Sequence, residues 1–241
     1  MDFKQRWGWF AHVYKACAQQ HHLELRPLLR PLIPADGVVL DIGAHAGQFA
    51  KLFARLAPRG RIHAFEPSPY ALSILRLAVR TSGLKNIVVA PLGLSDAPGA
   101  ARLLTPIKRR GDVGFGLAHL GAADRPGAHV AQEVRLTTLD RACAGFARLD
   151  FIKIDVEGWE LPALRGGAAT LARFRPTIFA EVNHSHLARA GATPAELWAF
   201  LEGLGYRASR DGAEAPAYAG PGDYLWRAPD ASSSRTSAWS P

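Results

Sequence analysis

The feature that most narrows what this chain can fold into is a regular alternation of strand-length apolar runs and helix-length amphipathic segments. VVLDI (38–42) is a short apolar run with LIPADG before it and a glycine turn after it, the pattern of a buried parallel strand. GAHAGQFAKLFARLAP follows with helical periodicity and stops at Pro58. RIHAF (61–65) reads as a second strand. SPYALSILRLAVRTSG reads as a second helix, with Ser68 as its cap and Gly83 as its stop, and NIVVAP opens a third strand. A β-α-β-α-β order with right-handed crossovers predicts a doubly wound α/β fold, a parallel sheet with helices on both faces.

The later segments extend the pattern less evenly. ARLLT reads as a short strand and KRRGDVGFGLAHLGAADRPG as a long loop rich in glycine and charge. QEVRLTTL is a further strand and LDRACAGF a short helix. DFIKIDV (150–156) is the fourth core strand, GWELPALRGGAATLARF a helix bent near Gly166 and Gly167, and PTIFAEV (176–182) the fifth strand. Thr193, Pro194 and Glu196 form the sequence signature of a capping box at a helix start. GYRASR and DYLWRA complete the strands. Residues 1–36 read as a helical extension in which Phe3, Trp7, Phe10 and Tyr14 recur at helical spacing, as expected of a helix packed across the main domain. That domain spans 37–228, and the polar tail 229–241 is expected to be disordered.

No apolar run reaches membrane-spanning length and the N-terminus lacks a signal-peptide core, so a cytoplasmic location is expected. Cys17 and Cys143 are far apart and in no metal-type spacing, so both read as ordinary small apolar residues. The formal charge of +8 raises the question of an anionic partner. Yet the arginines are scattered, the densest basic run (Lys108, Arg109, Arg110) reads as solvated loop, and no nucleic-acid module is recognisable, so no nucleic-acid partner is expected. A nucleophile elbow, a phosphate-binding P-loop and a zinc-protease helix are all missing, which removes the common hydrolase classes.

In open α/β sheets, ligands bind beyond the carboxyl ends of the strands. The first strand ends in Asp41-Ile42-Gly43-Ala44-His45-Ala46-Gly47, whose G-x-x-x-G spacing departs from the dinucleotide fingerprint. Small residues there let backbone approach a ligand, and Asp41 suits an ammonium group better than a pyrophosphate. The second strand ends in Glu66, 25 residues after Asp41, where a carboxylate can accept two ribose hydroxyls.

Taken in order, VVLDIGAHAGQFA, HAFEPSPYAL, TTLD, DFIKIDVEGWELPALRGG and RPTIFAEVNHSHL resemble the FkbM family of S-adenosylmethionine-dependent methyltransferases over roughly residues 37–207. The resemblance implies a class I methyltransferase fold, with a seven-stranded sheet whose last strand is antiparallel. It implies S-adenosylmethionine as cofactor and transfer to a hydroxyl of a sugar, glycoconjugate or polyketide-type metabolite. By motif, Asp41, Gly43, Ala44 and Gly47 line the methionine part, Glu66 holds the ribose, and Leu94 and Ser95 lie near the adenine. The N-terminal helices, residues 105–130 and the tail carry no family signature and are left to face the acceptor.

A hydroxyl is a weak nucleophile, so a base or a metal would assist its methylation. Asp155, ending the fourth strand, is the first candidate. The fifth strand ends in Glu181-Val182-Asn183-His184-Ser185-His186, the other dense polar group at a strand end. His184 or His186 can serve as general base near neutral pH. Alternatively Asp155, Glu181 and Asn183 can form an oxygen-rich magnesium site. The base reading is preferred and no metal ligands are assigned, because no committed carboxylate cluster appears. Glu157 reads as a first-turn acid favoured by the helix dipole.

Overall fold

The computed structural model describes residues 3–106, 119–120 and 129–229. The strands are β1 (Val38–Ile42), β2 (Arg61–Phe65), β3 (Ile87–Ala90), β4 (Gly93–Leu94), β5 (Gly99–Pro106), β6 (His119–Leu120), β7 (His129–Thr137), β8 (Phe151–Ile154), β9 (Thr177–Val182), β10 (Arg207–Arg210), β11 (Ala213–Glu214) and β12 (Gly222–Arg227). The α-helices are α1 (Phe3–Ala18), α2 (Arg26–Leu29), α3 (Gln48–Leu56), α4 (Pro69–Thr81), α5 (Leu139–Ala142), α6 (Glu160–Arg165), α7 (Ala168–Phe174), α8 (His184–Arg189) and α9 (Pro194–Gly203). No helix among them is long and apolar enough to cross a membrane.

The main sheet runs β11-β10-β12-β9-β8-β1-β2-β3. β3, β2, β1, β8 and β9 are parallel, and β12 enters antiparallel between β9 and β10. This is the doubly wound α/β fold expected, with one addition. The two-residue β11 pairs with β10 and makes the sheet eight-stranded rather than seven-stranded. The order reverses at β1, which sits between β2 and β8, and the carboxyl ends of these strands diverge there.

Period-two alternation splits the core into two layers. Val39, Ile62, Ala64, Phe151, Phe179 and Leu225 face α3 and α4, whereas Leu40, Ile42, Ile152, Ile154, Ile178, Tyr224 and Trp226 face the layer of α6 to α9. The caps read from sequence are present. Ser68 accepts from Ala71 N, and Thr193 and Glu196 form the reciprocal capping box of α9. The helix expected across 158–174 is divided at Gly166 and Gly167, and only glycine fits at 166, where a Cβ would lie 2.0 Å from the Ser95 carbonyl oxygen.

Two expectations need correction. Residues 119–120, read as part of a loop, form β6 and pair with Leu103 and Leu104 of β5. β5 and β7 make a long antiparallel pair in a second sheet, β4-β7-β5-β6, which the sequence reading did not assemble. In α1 the buried side is Trp9, Val13 and Ala16, packed on Tyr70, Ile74 and Ala78 of α4, while Phe10 (55% exposed) and Tyr14 (65% exposed) face outward. Phe10 and Tyr14 of the aromatic stripe therefore lie off the packing face. Trp9 Nε1 donates to Ser73 Oγ at 2.9 Å, a polar anchor that aromatic spacing cannot reveal. Lys108, Arg109, Arg110 and the tail from residue 230 lie outside the described residues.

Candidate active site

A cavity of about 380 Å³ opens beyond the carboxyl ends of β1, β2, β8 and β9. Its construction starts with the turn after β1. Gly43 (φ +78°), His45 (φ +47°) and Gly47 (φ +82°) carry the chain through left-handed conformations into α3. Gly43 is dictated by space as well, since a Cβ there would stand 1.9 Å from the Asp155 carbonyl oxygen. The turn hangs on β2: Gly43 N and Ala44 N both donate to Phe65 O, each at 3.0 Å.

Glu66 ends β2 inside the cavity wall, only 6% exposed. Its two oxygens are fixed separately, Oε2 by His45 N and Oε1 by Ser68 N, both at 2.8 Å. Burial pushes its carboxyl up to about 7, against the pull of those two backbone donors. Each oxygen keeps a lone pair for a ligand hydroxyl. Beyond Glu66 the wall is apolar, formed by Pro67, Leu92, Leu94, Leu103 and Trp159. Ser95 stands behind this wall. Its hydroxyl accepts from Trp159 Nε1 at 3.1 Å and donates to Asp96 Oδ1 at 3.0 Å, so it orients the indole.

The opposite end is acidic, and sheet register explains why. On the α3 face, Asp41 of β1 is the register partner of Lys153 of β8, which is the partner of Phe179 of β9. One residue pair further along, Ile154 faces Ala180, and Asp155 and Glu181 follow these in sequence; Glu181 is the direct partner of Asp223 on β12. Like charges directly opposite one another destabilise a sheet. Here three acids end neighbouring strands, and all three line the cavity with Glu157. Desolvation and the repulsion of Asp155 and Asp223 push Glu181 up to about 7. Burial and Asp155 raise Asp223 as well. Burial, with Asp155 and Glu181 adding, pushes Glu157 up to about 7.

Lys153 is the cation that organises this end. It is 4% exposed, with Nζ 3.7 Å from Asp41 Oδ1 and 3.4 Å from Asp155 Oδ2, and it donates to Gly43 O at 3.2 Å. Burial opposes its charge, but Asp155 and Asp41 outweigh that and hold the ammonium above its ordinary range. Asp41 is pushed by burial up to about 6, countered by Lys153. Lys153 and Asp41 thus form a buried ion pair.

Of the residues expected at the cofactor, Gly43, Ala44, Glu66 and Leu94 line the cavity. Asp41 does not. Strand alternation turns its fully buried carboxylate beneath the glycine turn, where it faces Lys153. Gly47 turns the chain into α3 without entering the wall, and Ser95 acts through Trp159. Of the catalytic candidates, Asp155 lines the cavity, whereas His184 and His186 do not. His184 opens α8, with its backbone N donating to the Tyr218 hydroxyl at 3.2 Å. His186 pairs with Glu157 of the cavity wall, with Nδ1 3.0 Å from Oε2. The α8 start diverts the chain sideways after β9, which carries both rings away. Asn183 spends its side-chain oxygen capping α8, accepting from Ser185 N and Ser185 Oγ, so the magnesium alternative loses one of its three ligands. Among the described residues no group of three or more His, Cys, Asp and Glu side chains is placed to hold a metal.

Strand alternation puts Lys153 on the face of Asp155 but assigns it no role, and His22, Phe49, Phe179 and Asp223 went unread, although all five are on the wall. A lysine inside the otherwise apolar FIKI was the one available signal.

Comparison with known proteins agrees with this geometry. The methyltransferase FkbM domain model matches residues 41–208. The chain is 26% identical to the methyltransferase sdnD of Sordaria araneosa, over 84% of each protein. It is 29% identical to the 2-O-methyltransferase NoeI of Sinorhizobium fredii, over 67% of this chain and 70% of the relative. Among solved structures, an O-methyltransferase from Bacillus cereus in complex with SAH superposes with a TM-score of 0.51 at 13% identity, over 94% of this chain and 90% of that one. A methyltransferase FkbM from Methylobacillus flagellatus superposes with a TM-score of 0.50 at 17% identity, over 80% of this chain and 44% of that longer one. Such identities speak for the shared fold.

Proposed function

Because this chain belongs to the FkbM methyltransferase family, we propose that its cavity binds S-adenosylmethionine and directs the methyl group to a hydroxyl of a neutral sugar, glycoconjugate or polyketide-type acceptor. The observation that carries the reading is the acid-rich lining of the cavity. In a chain of net charge +8, the wall holds Glu66, Asp155, Glu157, Glu181 and Asp223 against one lysine, Lys153. Such a wall repels a pyrophosphate and attracts a ligand bearing sulfonium and ammonium charges. The rest of the wall fits the same ligand. Glu66 offers lone pairs to a ribose diol, and Leu94, Pro67 and Trp159 offer an apolar slot for a flat base.

When bound, S-adenosylmethionine supplies a methyl group on a leaving group that is already charged. The chain therefore has to seat the acceptor and take up its proton. Asp155 and Glu181 are the candidates for that proton, because they share the acidic end and Glu181 is raised to about 7, close to the optimum for a base at neutral pH. Lys153 keeps Asp155 in place at 3.4 Å. His184 and His186 drop out of this role because neither ring reaches the wall. O-methylation, rather than methylation at another atom, is favoured by the similarity to a 2-O-methyltransferase.

The test supplies methyl-labelled S-adenosylmethionine with a panel of hydroxyl and amine acceptors and counts label transferred by wild type, Asp155→Asn and Glu181→Gln. Transfer to a hydroxyl, with kcat reduced about a hundredfold or more in one of the variants, supports the reading. Transfer to amines alone would overturn the hydroxyl specificity. Full activity in both variants would overturn the base assignment.

A further inference from the structure

The acidic end of the cavity is closed by residues outside the matched family segment 41–208: His22 and Leu25 from the N-terminal side, and Asp223 from β12. His22 is the most unusual of them. It holds a left-handed conformation (φ +61°, ψ +24°) that a non-glycine residue adopts at a cost. Its ring stacks on Phe49, centroids 4.3 Å apart and planes 14° from parallel. Phe49 covers one face of the imidazole, and the side chain remains 40% exposed. Its nearest charged group is Glu24, 3.8 Å from Nδ1, and among the described residues the ring makes no hydrogen bond.

The segment carrying His22 is anchored firmly. Gln20 Nε2 donates to Gln48 O at 3.0 Å, and His21 N donates to Gln48 Oε1 at 3.1 Å. Lys51 Nζ donates to the carbonyl oxygens of Ala16 and Gln19, and Arg55 donates to Gln20 Oε1. These bonds tie the N-terminal segment to α3, the helix launched by the glycine turn. A residue with a left-handed backbone is thus held in the cavity wall by an anchored segment, its ring hydrogen-bonding capacity unspent.

Resting on the methyltransferase reading above, we propose that His22, backed by Phe49 and sharing the cavity wall with Asp223, is the specificity-determining residue for the acceptor. The imidazole offers a flat face for the apolar side of a ring and a nitrogen for one of its hydroxyls. Asp223 and Glu181 accept from others. The matching ligand is a neutral polyhydroxylated ring, because an anion would meet the acidic row and a plain hydrocarbon would leave it unsatisfied. Since the cofactor contacts come from within 41–208 and His22 lies outside that segment, altering His22 changes the acceptor without changing the cofactor.

The test uses the full chain saturated with S-adenosylhomocysteine and a panel of methyl glycosides, with binding followed by saturation-transfer NMR for wild type, His22→Gly and His22→Asn. Glycine accepts the left-handed conformation freely and asparagine tolerates it, so both variants are expected to fold with an undiminished melting temperature. Wild type is expected to bind at least one glycoside, His22→Gly to bind it about tenfold or more weakly, and His22→Asn to fall between them. S-adenosylhomocysteine affinity, titrated separately, is expected to stay within about twofold in all three, and KM for the best glycoside to rise more than kcat falls. Equal glycoside binding by His22→Gly overturns the proposal, as does a parallel loss of S-adenosylhomocysteine affinity. Failure of wild type to bind any glycoside while binding S-adenosylhomocysteine overturns the acceptor class. Failure to bind S-adenosylhomocysteine at all overturns the underlying cofactor reading instead.

Discussion

The two ends of the cavity are made by different kinds of chain. The Glu66 end is built from consecutive strand ends, and its key groups are fixed by backbone: Glu66 is gripped by His45 N and Ser68 N, and the glycine turn hangs on Phe65 O. The acidic end is assembled from β8, β9, β12 and the segment before α2, and its groups are mismatched. Glu181 faces Asp223, His22 holds a left-handed backbone, and buried Asp41 meets Lys153 only at 3.7 Å, beyond ordinary hydrogen-bond length. The first arrangement suits a ligand that is always the same. The second stores unsatisfied charge and unused hydrogen-bonding capacity, which suits chemistry and choice of acceptor.

Lys153 joins the two ends, and its loss is expected to have the largest effect. Lys153→Met leaves Asp41 buried without a counter-charge, at a cost of about 3–5 kcal/mol. Urea unfolding at neutral pH measures it, and the double variant with Asp41→Asn is expected to recover most of the loss. A loss under about 1 kcal/mol, the scale of a surface ion pair, would mean that the two ends are independent.

A smaller effect separates the ends by charge. Glu181→Gln combined with Asp223→Asn removes the like-charge pair, so folding stability is expected to hold or rise slightly. The preference for S-adenosylmethionine over its uncharged thioether product should narrow by about threefold or more, roughly 0.7 kcal/mol. An unchanged preference would place the sulfonium away from the acidic row.

A third contrast is the pH dependence of the ligand-free protein. Glu66, Glu157, Glu160 and Glu181 are raised to about 7, mainly by desolvation, and Asp41 to about 6. A raised carboxyl binds its proton more tightly folded than unfolded, so its contribution is favourable at acid pH and is lost as pH rises through the folded value. Burial lowers His22, His45 and His63, which act in the opposite sense below about 6.5. The carboxyls outnumber them, so the melting temperature is expected to fall between about pH 5 and pH 7.5. A rising melting temperature over that interval would mean that the acidic end is better solvated than its geometry indicates.

The same contrast explains what could be read from the residues alone. The α/β order, the break at Gly166 and Gly167, the capping box and the Glu66 end are local: each depends on a few neighbouring residues with a defined period or turn chemistry. The acidic end depends on register. Glu181 meets Asp223 only because β12 enters antiparallel beside β9, and nothing near either residue announces it. His184 and His186 looked like site residues because they follow a strand end, but Asn183 starts α8 immediately and turns them aside. Asp41 looked like a ligand contact because it precedes the turn, yet strand alternation had already committed it to the interior.

Calorimetric titration of the cofactor-stripped protein with S-adenosylmethionine, for wild type and Glu66→Ala, tests the central claim most directly. Saturable binding by wild type, weakened about tenfold or more (roughly 1.4 kcal/mol) in Glu66→Ala, is the predicted result. No saturable binding by wild type, or equal binding by the variant, would contradict the assignment of this cavity to the cofactor.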